Sequence, residues 1–219
     1  MTNSTTYRGR IGLMADSHGN VPATIAGIHC LQNNGVEQIY HLGDLFDSLL
    51  DNDFMTILQA VCKNDVLCVK GNNDYQVEQA IGRGMTGKLS AAERALLAEY
   101  LRDMPMIREF RNICMAHSLP YNSIRAFYEP IDDGGILIAK RIFRDTNYSL
   151  ILCGHSHQSV LFRYRDNAVS REVLTEKYLV PFSPKERYIL IVGSVDNGEC
   201  GLLDFDQNTY LRLRIFEDQ

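Results

Sequence analysis

The segment Arg10-Ile-Gly-Leu-Met-Ala-Asp-Ser-His18 is an apolar run that ends in a carboxylate and an imidazole two residues apart. Buried strands of parallel sheets read as continuous apolar runs, and open α/β folds place their sites at the carboxyl ends of such strands. Four further apolar runs in this chain also end in oxygen or imidazole side chains. We therefore expect all five to deliver side chains to one site. These four runs lead into Gly43-Asp44, Gly71-Asn-Asn-Asp74, His117 and Gly154-His-Ser-His157.

The length of 219 residues suits one large α/β domain with a sizeable core. An apolar content of 45% and a charged content of 22% are ordinary for a globular protein. We predict a single domain over residues 1–219. Residues 1–8 are predicted to be a short frayed lead-in, because they lack the apolar core of a secretory signal. No apolar stretch is long enough to cross a bilayer, which argues against a membrane protein.

The net charge limits the classes of binding partner, and the cysteine content indicates the cellular compartment. A net charge of -5 disfavours broad nucleic-acid binding, which needs a basic face. It is compatible with an anionic substrate, because bound metal ions can invert the local field. The six cysteines include no CxxC pair and several lie inside apolar runs, so we interpret them as reduced core residues of a cytoplasmic protein. The sequence specifies no oligomeric state.

The first part of the chain alternates strand and helix signals, whereas the part after His157 reads as consecutive strands. A helix is predicted after Asn20-Val-Pro22 and through about Asn33, and the capping box Ser90-Ala-Ala-Glu93 predicts another that ends before Pro105. This order predicts an α/β fold in which two packed β-sheets are flanked by helices. Further helices are predicted at 52–63, 75–81 and 134–145, a surface loop at 82–88, and late strands at 160–165, 188–192, 201–206 and 210–216.

Taken singly, most of the polar motif residues have an ordinary structural explanation. Asp16 could cap the turn before the first helix, Asn72 could belong to a turn, and His117 could be a satisfied core histidine. The pair His155 and His157 is a stronger signal, because alternation on an extended segment points both imidazoles the same way. Five such motifs in one chain are poorly explained by chance. Together they supply two Asp, one Asn and four His, which is enough to hold two metal ions.

In this order the motifs D-x-H, G-D, G-N-x-D, H and G-H-x-H resemble those of the calcineurin-like metallophosphoesterases. The resemblance covers about Ile11 to Gly193 and fills all seven ligand positions. The compact size and the run Gly193-Ser-Val195 resemble the small bacterial-type phosphodiesterase branch of that superfamily. The resemblance implies a sandwich of two mixed β-sheets between helical layers, α/β/β/α.

The resemblance also implies a role for each ligand. One metal ion would be bound by Asp16, His18 and His157. The other would be bound by the remaining amide and imidazoles, with Asp44 bridging both ions. Mixed imidazole, carboxylate and amide ligation fits manganese, iron, zinc or cobalt better than calcium. The implied activity is hydrolysis of a phosphodiester or phosphomonoester by a metal-bound hydroxide. The second set of ligands is Asn72, His117 and His155.

One residue departs from the family pattern. Many members carry histidine at the third position of G-N-x-D, where it protonates the leaving oxygen, and this chain has Asn73. An amide cannot act as an acid, although its NH2 can hydrogen-bond a developing charge. Asp74 would be the partner of that histidine, or else a helix N-cap before Tyr75. The residues with expected catalytic roles are thus Asn73, Asp74 and His117.

Two other functions stay open at this point. The first is hydrolysis of nucleotide or dinucleotide polyphosphates, or of a phosphoprotein. The second, of a different class, is a catalytically weak scaffold with the same fold that binds a partner protein. Lys70, Arg83 and Arg125 are candidates for contacting a substrate phosphate, but the sequence assigns that role to none of them.

Overall fold

The structure is a computed structural model that describes residues 9–48, 53–85, 87–175 and 178–216. These residues form five α-helices and two mixed six-stranded sheets. The helices are α1 (Val21–Asn33), α2 (Phe54–Lys63), α3 (Asn72–Gly82), α4 (Ala91–Asp103) and α5 (Leu137–Asp145). The strands are β1 (Arg10–Met14), β2 (Gln38–His41), β3 (Leu67–Cys68), β4 (Ile107–Phe110), β5 (Ile113–Ala116), β6 (Leu150–Cys153), β7 (Val160–Arg165), β8 (Ala168–Val173), β9 (Leu179–Pro181), β10 (Arg187–Ile191), β11 (Glu199–Asp204) and β12 (Thr209–Arg214).

The first sheet has the strand order β3-β2-β1-β11-β12-β9. β1, β2 and β3 are parallel, and Met14 lies opposite His41, which in turn lies opposite Cys68. The late strands β11, β12 and β9 continue this sheet in antiparallel fashion. The three parallel strands therefore end at the same edge, and their following loops carry Asp16, Asp44 and the Gly71 segment.

The second sheet has the order β4-β5-β6-β10-β7-β8. β5, β6 and β10 are parallel, and β4, β7 and β8 are antiparallel to their neighbours. β5 and β6 end directly before His117 and Gly154.

Both sheets are covered on both faces, which explains why the central strands are apolar throughout. Leu13 packs between the sheets, whereas its neighbour Met14 packs among residues of α1, α2 and α4. In the second sheet Leu152 faces the other sheet, and Ile151 packs beside Ile142 of α5. Successive side chains of a strand point to opposite faces, so this alternation makes three apolar layers. It confirms the predicted α/β/β/α sandwich.

Several element boundaries differ from the prediction. α3 begins at Asn72 rather than Tyr75, because the G-N-x-D motif itself forms the first helical turn, in which the Asp74 carboxylate accepts the backbone N–H of the N-cap Gly71. α5 begins at Leu137 rather than Gly134, whose φ of 88° is not helical. The capping box at Ser90 is confirmed. The predicted start of α2 at residue 52 lies outside the described residues. β4, β8 and β9 were not predicted, because they are short or carry mixed polar side chains.

None of the helices in the described part of the chain combines the length and apolar content needed to cross a membrane.

Candidate metal centre

The five motifs meet at one edge of the sandwich, where β1, β2, β3, β5 and β6 end. In the first group, the Nε2 atoms of His18 and His157 lie 2.9 Å apart. Oδ1 of Asp16 lies 3.9 Å from Nε2 of His18 and 3.6 Å from Nε2 of His157. The structure thus brings together the three side chains that the resemblance assigned to one ion.

The second group lies around His117. Its Nε2 atom is 3.0 Å from Oδ1 of Asn72 and 3.1 Å from Nδ1 of His155. The same Nε2 is 3.4 Å from Oδ2 of Asp44. Four donor atoms from four different segments therefore converge on one point.

Hydrogen bonds to the backbone set which ring nitrogens face the site. Nδ1 of His117 lies 2.9 Å from the carbonyl oxygen of Leu42, so the Nδ1–H donates there and Nε2 keeps its lone pair. The His155 imidazole is hydrogen-bonded to the backbone of Tyr128, and its Nδ1 faces His117. Such partners on metal-binding histidines fix the tautomer and the ring orientation.

The donor set fits a transition-metal ion. Oδ1 of Asn72 faces Nε2 of His117 and Nδ1 of His155, so acceptor lone pairs point at one another, an arrangement that a cation between them makes favourable. Metal–ligand bonds of about 2.0–2.2 Å place two ligands of one ion roughly 3–3.5 Å apart. The separations in the group around His117 lie in this range. Two groups with this chemistry stand in the described chain: Asp16, His18, His157 and Asp44, His117, His155.

The backbone at the site adopts unusual conformations. Positive φ angles are uncommon for residues other than glycine, and such strained positions cluster at functional sites. Ten described non-glycine residues have them, and five of the ten are candidate ligands. The strands therefore end in tight turns that aim consecutive polar side chains at one point. These five are Asp16, His18, Asp44, His155 and His157.

Burial and neighbouring charges perturb the ionisable groups. Burial, reinforced by the charge of Asp44, raises the pKa of Asp16 to about 7. Burial also opposes ionisation of Asp44, but His117 and the hydrogen bonds from Asn73 outweigh it and hold that pKa below its usual value. Burial lowers the pKa of His117, yet Asp44 and Asp16 together raise it to about 9. Without a cation this imidazole attracts a proton, so protons and metal ions compete for the centre.

The centre is open on one side. Asp16, Asp44 and His117 are buried, His18 is half-buried, and the side chain of His157 is 43% exposed. The two carboxylates thus lie at the bottom of the site and the first metal position faces solvent, where a substrate can approach.

The motif glycines leave room for ligands from other motifs. A Cβ atom on Gly71 would lie 2.1 Å from Oδ1 and 2.3 Å from the backbone nitrogen of Asp44. A Cβ atom on Gly154 would lie 2.6 Å from Oδ2 of Asp16. These separations are shorter than real contacts, so each glycine permits the close packing of a carboxylate from another strand.

We expect Gly71→Ala to weaken Mn²⁺ binding and to destabilise the fold by about 1–3 kcal/mol, the usual cost of overpacking. The backbone of Gly71 is extended (φ -99°), so the effect comes from the displaced Asp44 rather than from strain at residue 71. Gly82→Ala, at the other end of α3, is the matched control, since nothing lies within 4 Å of its added Cβ. Calorimetric Mn²⁺ titration and thermal unfolding measure both effects. Parent-like metal binding in Gly71→Ala would show that Asp44 is not held against this glycine.

Asn73 and Asp74 lie beside the centre but face Asp44 and the backbone. The Asp74 carboxylate is buried and accepts the backbone N–H groups of Asp44, Phe46 and Gly71. Asp74 is the third residue of α3, whose N-cap is Gly71, so the alternative prediction that Asp74 is the N-cap before Tyr75 is wrong. Burial and the charge of Asp44 raise the pKa of Asp74 to about 6. The catalytic roles expected for Asn73, Asp74 and His117 remain predictions.

Some supporting residues were missed by the sequence analysis. Ser194 donates its hydroxyl to the carbonyl oxygen of Asp16 at 2.9 Å, and the backbone N–H of Asp196 donates to the same oxygen at 3.2 Å. The run Gly193-Ser-Val195, noted for its resemblance to one branch of the superfamily, was a sequence signal that could have pointed to Ser194. A backbone partner such as the N–H of Asp196 leaves no signal in the sequence. His41 is fully buried, with Nε2 2.8 Å from Oγ of Ser17, and burial lowers its pKa to about 3.

Two of the basic candidates for phosphate binding are engaged elsewhere. Lys70 is buried and its Nζ lies 2.7 Å from Glu78. Arg125 is exposed and paired with Glu129.

Comparison with known proteins agrees with the motif pattern. A family model for the calcineurin-like phosphoesterase superfamily domain matches residues 10–180. No match was found among curated proteins. The chain is similar to a metallophosphoesterase from Sphaerobacter thermophilus, with a TM-score of 0.75 and 20% identity over 97% of this chain and 90% of the other.

Two further solved structures share the fold. An archaeal phosphodiesterase has a TM-score of 0.51 and 15% identity over 94% of this chain and 99% of the other. A protein serine/threonine phosphatase from Saccharomyces cerevisiae has a TM-score of 0.53 and 15% identity over 99% of this chain and 83% of the other.

Proposed function

Because the chain belongs to the calcineurin-like phosphoesterase superfamily, whose members are metal-dependent phosphoester hydrolases, we propose that it hydrolyses a phosphodiester or phosphomonoester with two divalent transition-metal ions. The observation that carries this proposal is the pair of neighbouring donor groups at one edge of the sandwich. When bound, such ions polarise phosphoryl oxygens and lower the pKa of a bound water to near neutrality.

Each of the two ions would be held by a different set of residues. Asp16, His18 and His157 would hold one ion, and the group around His117 the other, with Asp44 shared between them. Two divalent ions carry four positive charges, of which the two aspartates neutralise two, while neutral imidazoles and an amide neutralise none. The centre would therefore keep a net positive charge that attracts and orients a phosphate ester. Its mixed nitrogen and oxygen donors favour manganese, iron, zinc or cobalt, and we take manganese as the first metal to test.

A substrate with one phosphate ester suits the site better than a polyphosphate. A polyphosphate carries extra negative charges that need further cationic side chains. Two of the three candidates for this role, Lys70 and Arg125, are paired with Glu78 and Glu129. Hydrolysis of nucleotide or dinucleotide polyphosphates is therefore the second candidate. Hydrolysis of a phosphoprotein stays beside it, since this charge argument does not bear on a phosphomonoester.

The scaffold alternative fits the site less well. A partner-binding protein needs no converging metal ligands, yet both groups are intact and five ligands are held in positive-φ conformations. All six cysteines are in the reduced state, and we propose a cytoplasmic location on that ground.

Turnover of bis(4-nitrophenyl) phosphate with added Mn²⁺ tests the proposed function. We expect activity that is abolished by chelation and restored by Mn²⁺. His157→Ala should lower it by roughly 10²-fold or more, because loss of a ligand removes several kcal/mol of charge stabilisation. His29→Ala, an exposed histidine of α1, is the matched control and should match the parent. If the metal-loaded parent hydrolyses no phosphomonoester or phosphodiester, the scaffold alternative is favoured.

A further inference from the structure

Asn73 holds the carboxylate of Asp44 at both oxygens. The backbone N–H of Asn73 donates to Oδ1 at 2.8 Å, and its side-chain Nδ2 donates to Oδ2 at 2.6 Å. The backbone N–H of Asp44 in turn donates to Oδ2 of Asp74 at 2.9 Å. Two consecutive residues in the first turn of α3 thus fix both the side chain and the backbone of Asp44.

Backbone hydrogen bonds in turn orient the side chains of Asn73 and Asp74. The backbone N–H of Ser48 donates to Oδ1 of Asn73 at 3.3 Å, which turns the amide oxygen to Ser48 and the NH2 group to Asp44. Asp74 also accepts the backbone N–H groups of Gly71 and Phe46 at 2.9 and 3.0 Å. The loop after β2 and the start of α3 are therefore tied together around Asp44.

Asp44 needs such support, because its φ of 54° lies in the left-handed region. A non-glycine residue keeps this conformation only where its surroundings over-determine it. Carboxylates that bind metal ions are also hydrogen-bonded by neighbouring residues that do not bind the ion, and these bonds set the orientation of the carboxylate. A carboxylate oxygen has two lone pairs, so Oδ2 can accept the Asn73 N–H and still bind an ion.

We propose that Asn73, supported by Asp74, is a positioning residue that orients Asp44 as the ligand shared by the two metal ions. The proposal rests on the proposed function. It also gives Asn73 a role other than hydrogen-bonding the leaving oxygen, since one of its two Nδ2 hydrogens is engaged with the Asp44 carboxylate. Hydrogen bonds to ionised acceptors are roughly twice as strong as neutral ones.

Calorimetric titration of the metal-free protein with Mn²⁺ tests this role on Asn73→Ala. Asn73 is only partly buried, so the variant leaves the apolar layers intact, and circular dichroism checks its fold. Asn147→Ala, an exposed asparagine before β6, is the matched control. We expect Asn73→Ala to bind Mn²⁺ about 10–100-fold more weakly than the parent, which is the usual effect of removing a side chain that hydrogen-bonds a metal ligand. Asn147→Ala should match the parent.

A second readout separates positioning from direct action on the leaving group. With saturating Mn²⁺, the slope of log rate against leaving-group pKa should be the same in Asn73→Ala and in the parent. Parent-like Mn²⁺ affinity in Asn73→Ala, or a steeper slope in that variant, overturns the proposal. Failure of the proposed function differs from both results, because the parent itself would then bind no Mn²⁺ or hydrolyse no ester.

Discussion

Asp44→Ala is expected to lose most of the bound metal and to lower phosphodiesterase activity by at least about 10³-fold, which corresponds to several kcal/mol of lost charge stabilisation. Asp44 is buried, its Oδ2 lies 3.4 Å from Nε2 of His117, and its charge contributes to raising the pKa of Asp16 in the other group. Removing one carboxylate therefore affects both metal positions at once.

Metal analysis after dialysis and steady-state kinetics with Mn²⁺ measure the two effects of Asp44→Ala. Asp103→Ala is the matched control, because Asp103 is an exposed carboxylate of α4 whose Oδ1 lies 3.4 Å from Nε of the exposed Arg102. Two tightly held ions per chain in Asp44→Ala would contradict the assignment of Asp44 as the shared ligand.

The second large effect concerns the leaving group. The side chain at position 73 is an amide, which cannot donate a proton as an acid, and one of its two Nδ2 hydrogens is engaged with Asp44. We therefore expect the leaving oxygen to depart as an anion. A positioned general acid typically accelerates departure of a poor leaving group about 10²–10⁴-fold. Without one, the rate ratio between nitrophenyl esters and esters with poor leaving groups should exceed, by a comparable factor, the ratio for an enzyme that has such an acid.

A series of phosphodiesters with graded leaving-group pKa values, assayed with saturating Mn²⁺, measures this dependence. We expect the rate to fall steeply as the leaving-group pKa rises. A flat dependence, in conditions where the chemical step limits the rate, would mean that another residue supplies the proton.

The meeting of the candidate metal-binding side chains could be predicted from the sequence, because each of them follows an apolar run. Parallel pairing of β1, β2 and β3, and of β5 and β6, brings the ends of these runs to one edge. The two-layer arrangement was also predictable, since runs such as Leu150 to Cys153 are apolar on both faces. Local pattern and sheet geometry together determine these features.

Other features depend on contacts between distant segments, and the sequence carried no signal for them. Asn73 donates to Asp44, a residue 29 positions away, and Asp74 binds backbone groups of two loops. From the sequence, Asn73 could therefore be interpreted only as a replacement for the histidine that many family members carry at the third position of G-N-x-D. β8 was missed because Arg171 and Glu172 break the apolar alternation of this edge strand.

Metal stoichiometry tests the central claim, two ions held by seven side chains, most directly. Metal-free protein is equilibrated with Mn²⁺ and the bound metal is counted per chain, for the parent and for one variant of each group, His157→Ala and Asn72→Ala. We expect two ions in the parent and one in each variant, with the sites lost independently. A parent that binds one ion or none at saturating Mn²⁺ would contradict the two-metal centre.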